Sequence, residues 1–210
     1  MFDTATAVAW VEATRRAIDE HAAALTRLDA AIGDGDHGTN MARGFRAVAD
    51  KLPDLAGKDF NTLFKGVGMA LIGKVGGASG PLYGSLYLAV GRQLGDVLEV
   101  GDAELAAALR AGYDAVVARG KAQLEDKTML DAWHPALEAL DAALAAGNSL
   151  GEALDAATEG AWKGVQATIP LVARKGRASY LGERSRDHQD PGATSTHLIV
   201  KALADVVNGR

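Results

Sequence analysis

Three aspartates, Asp29, Asp34 and Asp36, fall within eight positions in the run DAAIGDGDHGTN from Asp29 to Asn40. Carboxylates supply the oxygen ligands that hard cations such as magnesium require, together with compensating charge. Crowding like charges is unfavourable unless a cation offsets them. Gly33, Gly35 and Gly38 let the backbone turn tightly enough to gather the three carboxylates. His37 and Asn40 add polar groups where a helix is expected to begin, and a helix N-terminus favours phosphate. The run therefore predicts a divalent-metal and phosphate site.

Two motif readings of the same residues fail. GDGDHG fits the pattern G-x-G-x-x-G, but a dinucleotide fingerprint follows a strand, and the preceding ALTRLDAAI forms none. A calcium loop counted from Asp34 needs glycine at its sixth position and glutamate at its twelfth; Thr39 and Phe45 stand there. The bland alternative is a solvated turn, against which Asp29, His37 and Asn40 accompany the DGD core.

Three further segments carry polar groups that can meet an anion. In GGASGP (76–81), the backbone N–H groups of Gly77, Ala78 and Ser79 and the Ser79 hydroxyl can cradle a phosphate. A close-packed helix–helix turn explains the same residues equally well. No Walker A sequence occurs. The stretch 174–195, RKGRASYLGERSRDHQDPGATS, offers Arg174, Lys175, Arg177, Arg184 and Arg186 as phosphate partners, or is a solvated basic loop. In 120–133, GKAQLEDKTMLDAW, Met129 can lie against a flat base or in the core. Trp10, Trp133 and Trp162 are expected to pack, and no histidine besides His37 is assigned a role.

The elements that must position these groups read as helices. Thr4 to about Leu25 carries Val8, Val11, Ile18, Ala22 and Leu25 at helical spacing, with Thr14 as the polar interruption. A second helix runs from about Gly38 to Lys51, before Pro53 and Gly57 break the pattern. Further helices are expected over about 60–72, 81–94 and 101–120. Thr128 is expected to cap a sixth, ending at Ala146. Ser149 and Glu152 have capping-box spacing and open a seventh, to about Ile169. Asp190-Pro191 starts the last, with aspartate at the cap and proline in the first turn. That predicts an all-α chain of eight helices without strands, and one domain over 1–210.

Composition sets bounds. Net charge is −5, which argues against nucleic acid as a main partner. The absence of cysteine excludes disulfides and thiolate metal sites. Neither a signal peptide nor a membrane-spanning run is evident, so a cytoplasmic protein without a membrane partner is expected.

LDAAIGDGDHGTNMARGF, VGGASGPLYG, ARGKAQLEDKTMLDAW and RKGRASYLGERSRDHQDPGATS occur in this order. Together they resemble the DhaL family, the ADP-binding L subunit of bacterial dihydroxyacetone kinase, over nearly the whole chain. The resemblance implies a closed antiparallel barrel of eight amphipathic helices with the nucleotide at one end. It implies that Asp29, Asp34 and Asp36 ligate two magnesium ions. It places His37, Gly38, Thr39 and Asn40 on the phosphate side and Gly77, Ala78 and Ser79 in the phosphate-holding turn. Gly120 and Met129 would meet adenine and ribose, and Arg177 with Asp190, Pro191 and Gly192 the rest of the nucleotide. Leu130 and the pair Arg186-Asp187 look variable against the common forms. No catalytic base is implied in this chain. The implied ligands are ADP or ATP with magnesium. The implied partners are a K subunit carrying dihydroxyacetone and a phosphohistidine M protein that rephosphorylates ADP in place. A homodimer is expected, and a transcriptional regulator is a further candidate partner. An ATP-dependent L module for a short ketose or sugar and a non-enzymatic ADP-bound sensor are the alternatives.

Overall fold

Alanine and leucine recur at helical spacing along most of the chain. The computed structural model, which describes all 210 residues, is helical nearly throughout. A short strand β1 (Phe2–Asp3) leads into α1 (Thr4–Ile32), α2 (His37–Ala49), α3 (Leu52–Leu55), α4 (Phe60–Lys74) and α5 (Ser79–Leu94). Strand β2 (Glu99–Val100) precedes α6 (Asp102–Gly120), α7 (Leu130–Ala145), α8 (Leu150–Ala167) and α9 (Pro191–Val207). A 3-10 segment, Arg177–Ser185, lies between α8 and α9.

Eight helices are long, and each packs on the next: α1 on α2, α2 on α4, then in order to α9, which returns to α1. The helices thus close into a ring. All eight contribute to one cluster of 46 buried apolar residues, so the ring encloses a shared core. At its centre Tyr87 stacks with Phe64 at 5.9 Å and meets Trp10 at 5.6 Å between ring centroids. Thr14, the polar interruption of the α1 stripe, is fully buried with it.

The expected caps form where the sequence places them. Ser149 and Glu152 exchange backbone N–H contacts at 2.8 and 3.3 Å in a capping box. The Asp190 carboxylate accepts the Ala193 N–H at 2.7 Å, with Pro191 in the first turn of α9. No helix is long and apolar enough to cross a membrane.

Several expectations need correction. Helix α1 continues seven residues past Leu25, because Leu25, Leu28 and Ile32 extend its inward stripe. Asp29 therefore stands on a helix and not in the following loop. Pro53 starts the short α3 rather than only breaking a helix, which raises the α-helices to nine. Phe2–Asp3 and Glu99–Val100 pair as a minimal antiparallel ladder, where no strand was expected. Thr128 lies one residue before the N-cap position of α7, which Met129 holds, but its hydroxyl still accepts the Leu130 N–H at 3.2 Å, and the Asp131 carboxylate reaches back to the Thr128 N–H at 2.7 Å. Trp10 and Trp133 are buried as expected, but Trp162 is 45% exposed, one position off the inward stripe of Ala157, Ala161 and Val165.

Candidate functional site

One end of the ring is open to a cleft of about 540 Å³. The N-terminal turns of α2, α5, α7 and α9 and the C-terminal turns of α1 and α6 line it. Each helix N-terminus presents N–H groups and the positive end of a dipole. The geometry thus concentrates anion-binding groups at one end of the fold.

The acidic group sits at the α1–α2 junction. One oxygen of each of Asp29, Asp34 and Asp36 lies within 4.8 Å of the other two. Two oxygens on one magnesium at ~2.1 Å are at most ~4.2 Å apart, so small side-chain rotations close the set around an ion. Asp29 Oδ2 accepts the N–H groups of Asp36 at 2.8 Å and His37 at 3.0 Å. That bond pair makes the Asp29 side chain the acceptor for the first N–H groups of α2 and leaves its Oδ1 free to meet a cation. The Asp34 carboxylate meets Arg177 Nε at 3.0 Å across the cleft mouth. Arg177 is 67% exposed, so this pair is worth about 0–1 kcal/mol and yields readily to a cation. The donor set fits a hard divalent ion.

Behind the carboxylates, His37 is buried. Burial pushes its pKa down, against the raising effect of Asp29 and Asp36. Its Nδ1 lies 3.2 Å from Ser79 Oγ and its Nε2 lies 2.9 Å from Ser195 Oγ. Asn40, also buried, accepts from Arg43 Nη2 at 2.5 Å, while Arg43 Nε donates to the Lys74 carbonyl at 3.0 Å. Those contacts fasten α2 to the glycine turn.

That turn needs its glycine. Gly77 has φ of 64°, a conformation side chains rarely adopt. It brings the chain back so that Gly77, Ala78 and Ser79 face the cleft, and α5 begins with no side-chain cap on its first N–H groups. Those groups are free to take an anion.

The far wall is apolar: Leu82, Val116, Ala122, Met129, Leu130 and Pro191 form a slot beside Gly120 suited to a flat ring. The connection 121–129 over this slot departs from ordinary backbone, with positive φ at Lys121, Glu125 and Lys127. Its partners hold it there. Asp131 accepts the Glu125 N–H at 2.5 Å, and Arg174 N donates to the Asp126 carbonyl at 3.0 Å. Lys127 Nζ donates to the carbonyls of Thr168 at 2.8 Å, Leu171 at 3.1 Å and Ile169 at 3.3 Å. Burial pushes the Asp131 carboxyl up, and it pushes Asp190 up to about 7, with Lys127 opposing the shift at Asp190.

Of the residues singled out in the sequence, Asp29, Asp34, Asp36, His37, Asn40, Gly77, Ala78, Ser79, Gly120, Met129, Arg177, Asp190, Pro191 and Gly192 line this one cleft. Gly38 and Thr39 do not. A Cβ on Gly38 would run into the Ala22 carbonyl, so this glycine serves the close approach of α2 to α1. Thr39 Oγ1 donates to the Asp36 carbonyl at 2.9 Å, and the side chain is exposed. Within the basic loop Lys175 lines the cleft, whereas Arg186 turns away to the Pro170 carbonyl and Glu183.

Sequence reasoning missed Lys127, Tyr83, Ser195 and Asp131. Tyr83 and Ser195 carried a usable signal: each lies four positions past the start of a helix whose N-terminus faces the cleft, hence on the same face. Lys127 carried none, being one of two lysines in a polar connection.

Comparison with known proteins is consistent with this geometry. The model of the DAK2 domain matches residues 31–205. The chain is 48% identical over 180 residues to the ADP-binding subunit DhaL of the PEP-dependent dihydroxyacetone kinase of Escherichia coli (strain K12), covering 86% of each. It is 41% identical over 202 residues to the ADP-binding subunit DhaL of the PTS-dependent dihydroxyacetone kinase of Lactococcus lactis subsp. lactis (strain IL1403), covering 96% of this chain and 97% of that one. The crystal structure of the dihydroxyacetone kinase from C. freundii in complex with AMP-PNP and Mg2+ superposes with a TM-score of 0.72 at 30% identity. The alignment spans 94% of this chain and 33% of that longer one. The chain belongs to the DhaL family of DAK2-domain proteins.

Proposed function

We propose that this chain is the nucleotide-binding subunit of a dihydroxyacetone kinase of the phosphoenolpyruvate-dependent type. The observation that carries the reading is the convergence, in one cleft, of three carboxylates within 4.8 Å with the uncapped N-terminus of α5 and an apolar slot. Bound magnesium, two ions in this reading, supplies positive charge to the nucleotide phosphates and to the charge that develops on transfer. Asp29, Asp34 and Asp36 hold the metal. The α5 N-terminus and Ser79 orient the phosphates, and Leu82 with Met129 holds the base. Arg177 gives up Asp34 and closes over the nucleotide.

The acceptor hydroxyl belongs to dihydroxyacetone on a separate K subunit. Its oxygen bonds to the γ-phosphorus as the bond from that phosphorus to the β–γ bridging oxygen breaks. The hydroxyl proton goes to a group on the partner, and ADP stays in this chain. A phosphohistidine M protein then restores the γ-phosphoryl group. Phosphoryl transfer relies on positioning and charge neutralisation, which is what this chain's groups are arranged to give.

Purified protein is expected to carry ADP through desalting. Asp34→Ala or Asp36→Ala releases nucleotide and magnesium while far-ultraviolet circular dichroism stays unchanged. A variant that still copurifies with stoichiometric ADP and magnesium refutes the metal assignment. Sustained ATP turnover with a K-type partner and no M-type protein replaces the relay by direct ATP use.

A further inference from the structure

The wall behind the phosphate end of the cleft contains a line of polar side chains that metal and nucleotide binding do not by themselves account for. Ser79 Oγ lies 3.2 Å from His37 Nδ1, and His37 Nε2 lies 2.9 Å from Ser195 Oγ. Ser195 Oγ lies 2.7 Å from Tyr83 Oη, and both lie 3.1 Å from the Gly192 carbonyl. Thr196 Oγ1 sits beside the line, 3.0 Å from Tyr83 Oη. Ser195, Tyr83 and Thr196 are essentially inaccessible to solvent. Three helices, α2, α5 and α9, thus meet through hydroxyls and one imidazole. A buried polar network of this kind is costly unless every member is satisfied.

Counting protons leaves two arrangements. The Gly192 carbonyl only accepts, which fixes one end. With the Ser195 proton on the Gly192 carbonyl or on His37, the phenol donates in the short Tyr83–Ser195 contact; with the Ser195 proton on Tyr83, the phenol donates to Gly192 or Thr196 and His37 again donates from Nε2, as in the first arrangement below. In the first arrangement Ser195 donates to Gly192, His37 donates from Nε2 to Ser195, and Ser79 donates to Nδ1. Ser79 then shows only lone pairs to the cleft. In the second, Ser195 donates to His37 Nε2, His37 donates from Nδ1 to Ser79, and the Ser79 proton points into the cleft. An anion in the cleft is stabilised only by the second.

We propose that Tyr83 and Ser195 are positioning residues that hold His37 in its Nδ1–H form when an anion is bound, so that Ser79 donates to a phosphate. Resting on the nucleotide-binding reading above, the proposal assigns the relay to the phosphates and not to the base. Ser195 stands behind the cleft and Tyr83 in its wall with the phenol oxygen against Ser195, Thr196 and Gly192, and both act through His37 and Ser79. The interaction they set is one hydrogen bond to a charged acceptor, so losing it weakens binding of a phosphorylated ligand roughly tenfold.

The test uses the full chain with magnesium. The imidazole nitrogen shifts of His37 in the wild type are recorded by 15N NMR with and without ADP. ADP and adenosine affinities are measured for wild type, Tyr83→Phe and Ser195→Ala. The expected result is the Nδ1–H form in the ADP complex, with about tenfold weaker ADP binding in both variants. Adenosine binding stays within about twofold, because it lacks the acceptor. The Nε2–H form in the ADP complex overturns the proposal even if neither variant folds. Equal weakening of ADP and adenosine also overturns it, since that is what a purely structural role produces. Failure of the wild type to bind magnesium–ADP at all overturns the nucleotide-binding reading itself, and the relay with it.

Discussion

Replacing Lys127 by methionine tests what holds the connection over the apolar slot. The ammonium caps the end of α8 and the turn after it with three carbonyl contacts of 2.8, 3.1 and 3.3 Å, the side chain being 1% exposed. Hydrogen bonds to a charged group contribute about 1.5–3 kcal/mol each, and the longest of the three counts least. The gross interaction is therefore about 4–6 kcal/mol. Burial of the ammonium costs part of this back: it pushes the Lys127 pKa down, with Asp190 and Asp187 opposing. Methionine keeps most of the apolar stem packed, so no large cavity adds to the loss. The net expectation is about 3 kcal/mol of destabilisation, which for a chain of this size lowers Tm by roughly 6–12 °C. Urea unfolding followed by circular dichroism measures it. Positive φ at Glu125 and Lys127 is also maintained by this tie, so base affinity should fall with stability. A loss below about 1 kcal/mol would mean that water satisfies the carbonyls equally well, and that the ammonium is not what fixes the connection.

Two other perturbations have defined signs. Gly38→Ala places a Cβ against the Ala22 carbonyl and the Thr26 hydroxyl, and because a backbone carbonyl cannot swing away, about 2 kcal/mol is lost despite alanine's better helix propensity; unchanged or raised stability in urea would show that α1 and α2 can separate freely. The Asp190 carboxyl titrates near 7 in the folded chain against 3.8 in the reference state, so its contribution is full below about pH 3.8 and is lost as pH rises through 7. Between pH 6 and pH 8 the folded state should lose about 1.4 kcal/mol from this group, and Asp190→Asn should flatten that slope in metal- and nucleotide-free protein; an identical slope in both proteins would assign the pH dependence elsewhere.

Much of the fold was legible because it rests on local rules. The capping box at Ser149, the Asp190-Pro191 start and the inward stripe of α1 each follow from side chains a few positions apart. The carboxylate cluster was legible for the same reason, since its members lie within eight positions. What was not legible depends on distant pairing. Gly38 looks like part of the phosphate loop in sequence, yet its role is set by Ala22 on the helix before. Thr39 follows His37 closely but points out of the cleft, because two positions along a helix turn a side chain by about 200°. Lys127 matters because the end of α8, forty residues onward, brings three carbonyls to it. Asp29 was legible as a member of the carboxylate cluster but misplaced, since Leu28 and Ile32 extend the helix past it before the loop.

The two helix N-termini nearest the acidic cluster are not equivalent, and the difference divides the labour of the site. At α2 the Asp29 carboxylate already takes the N–H groups of Asp36 and His37, so that end is internally satisfied and carries negative charge towards the cleft. A phosphate approaches it only through a cation, and Asp29, Asp34 and Asp36 are the groups able to hold one. At α5 no side chain caps the first turn, so its N–H groups and positive dipole end are free to meet an anion directly. His37 lies between the two ends, buried, within reach of Ser79 on one side and Ser195 on the other. Under the proposed function the phosphate oxygens are therefore met by metal on the acidic side and by backbone N–H groups on the other. A nucleoside without phosphate meets neither end, which gives the cleft a physical reason to prefer a phosphorylated nucleotide.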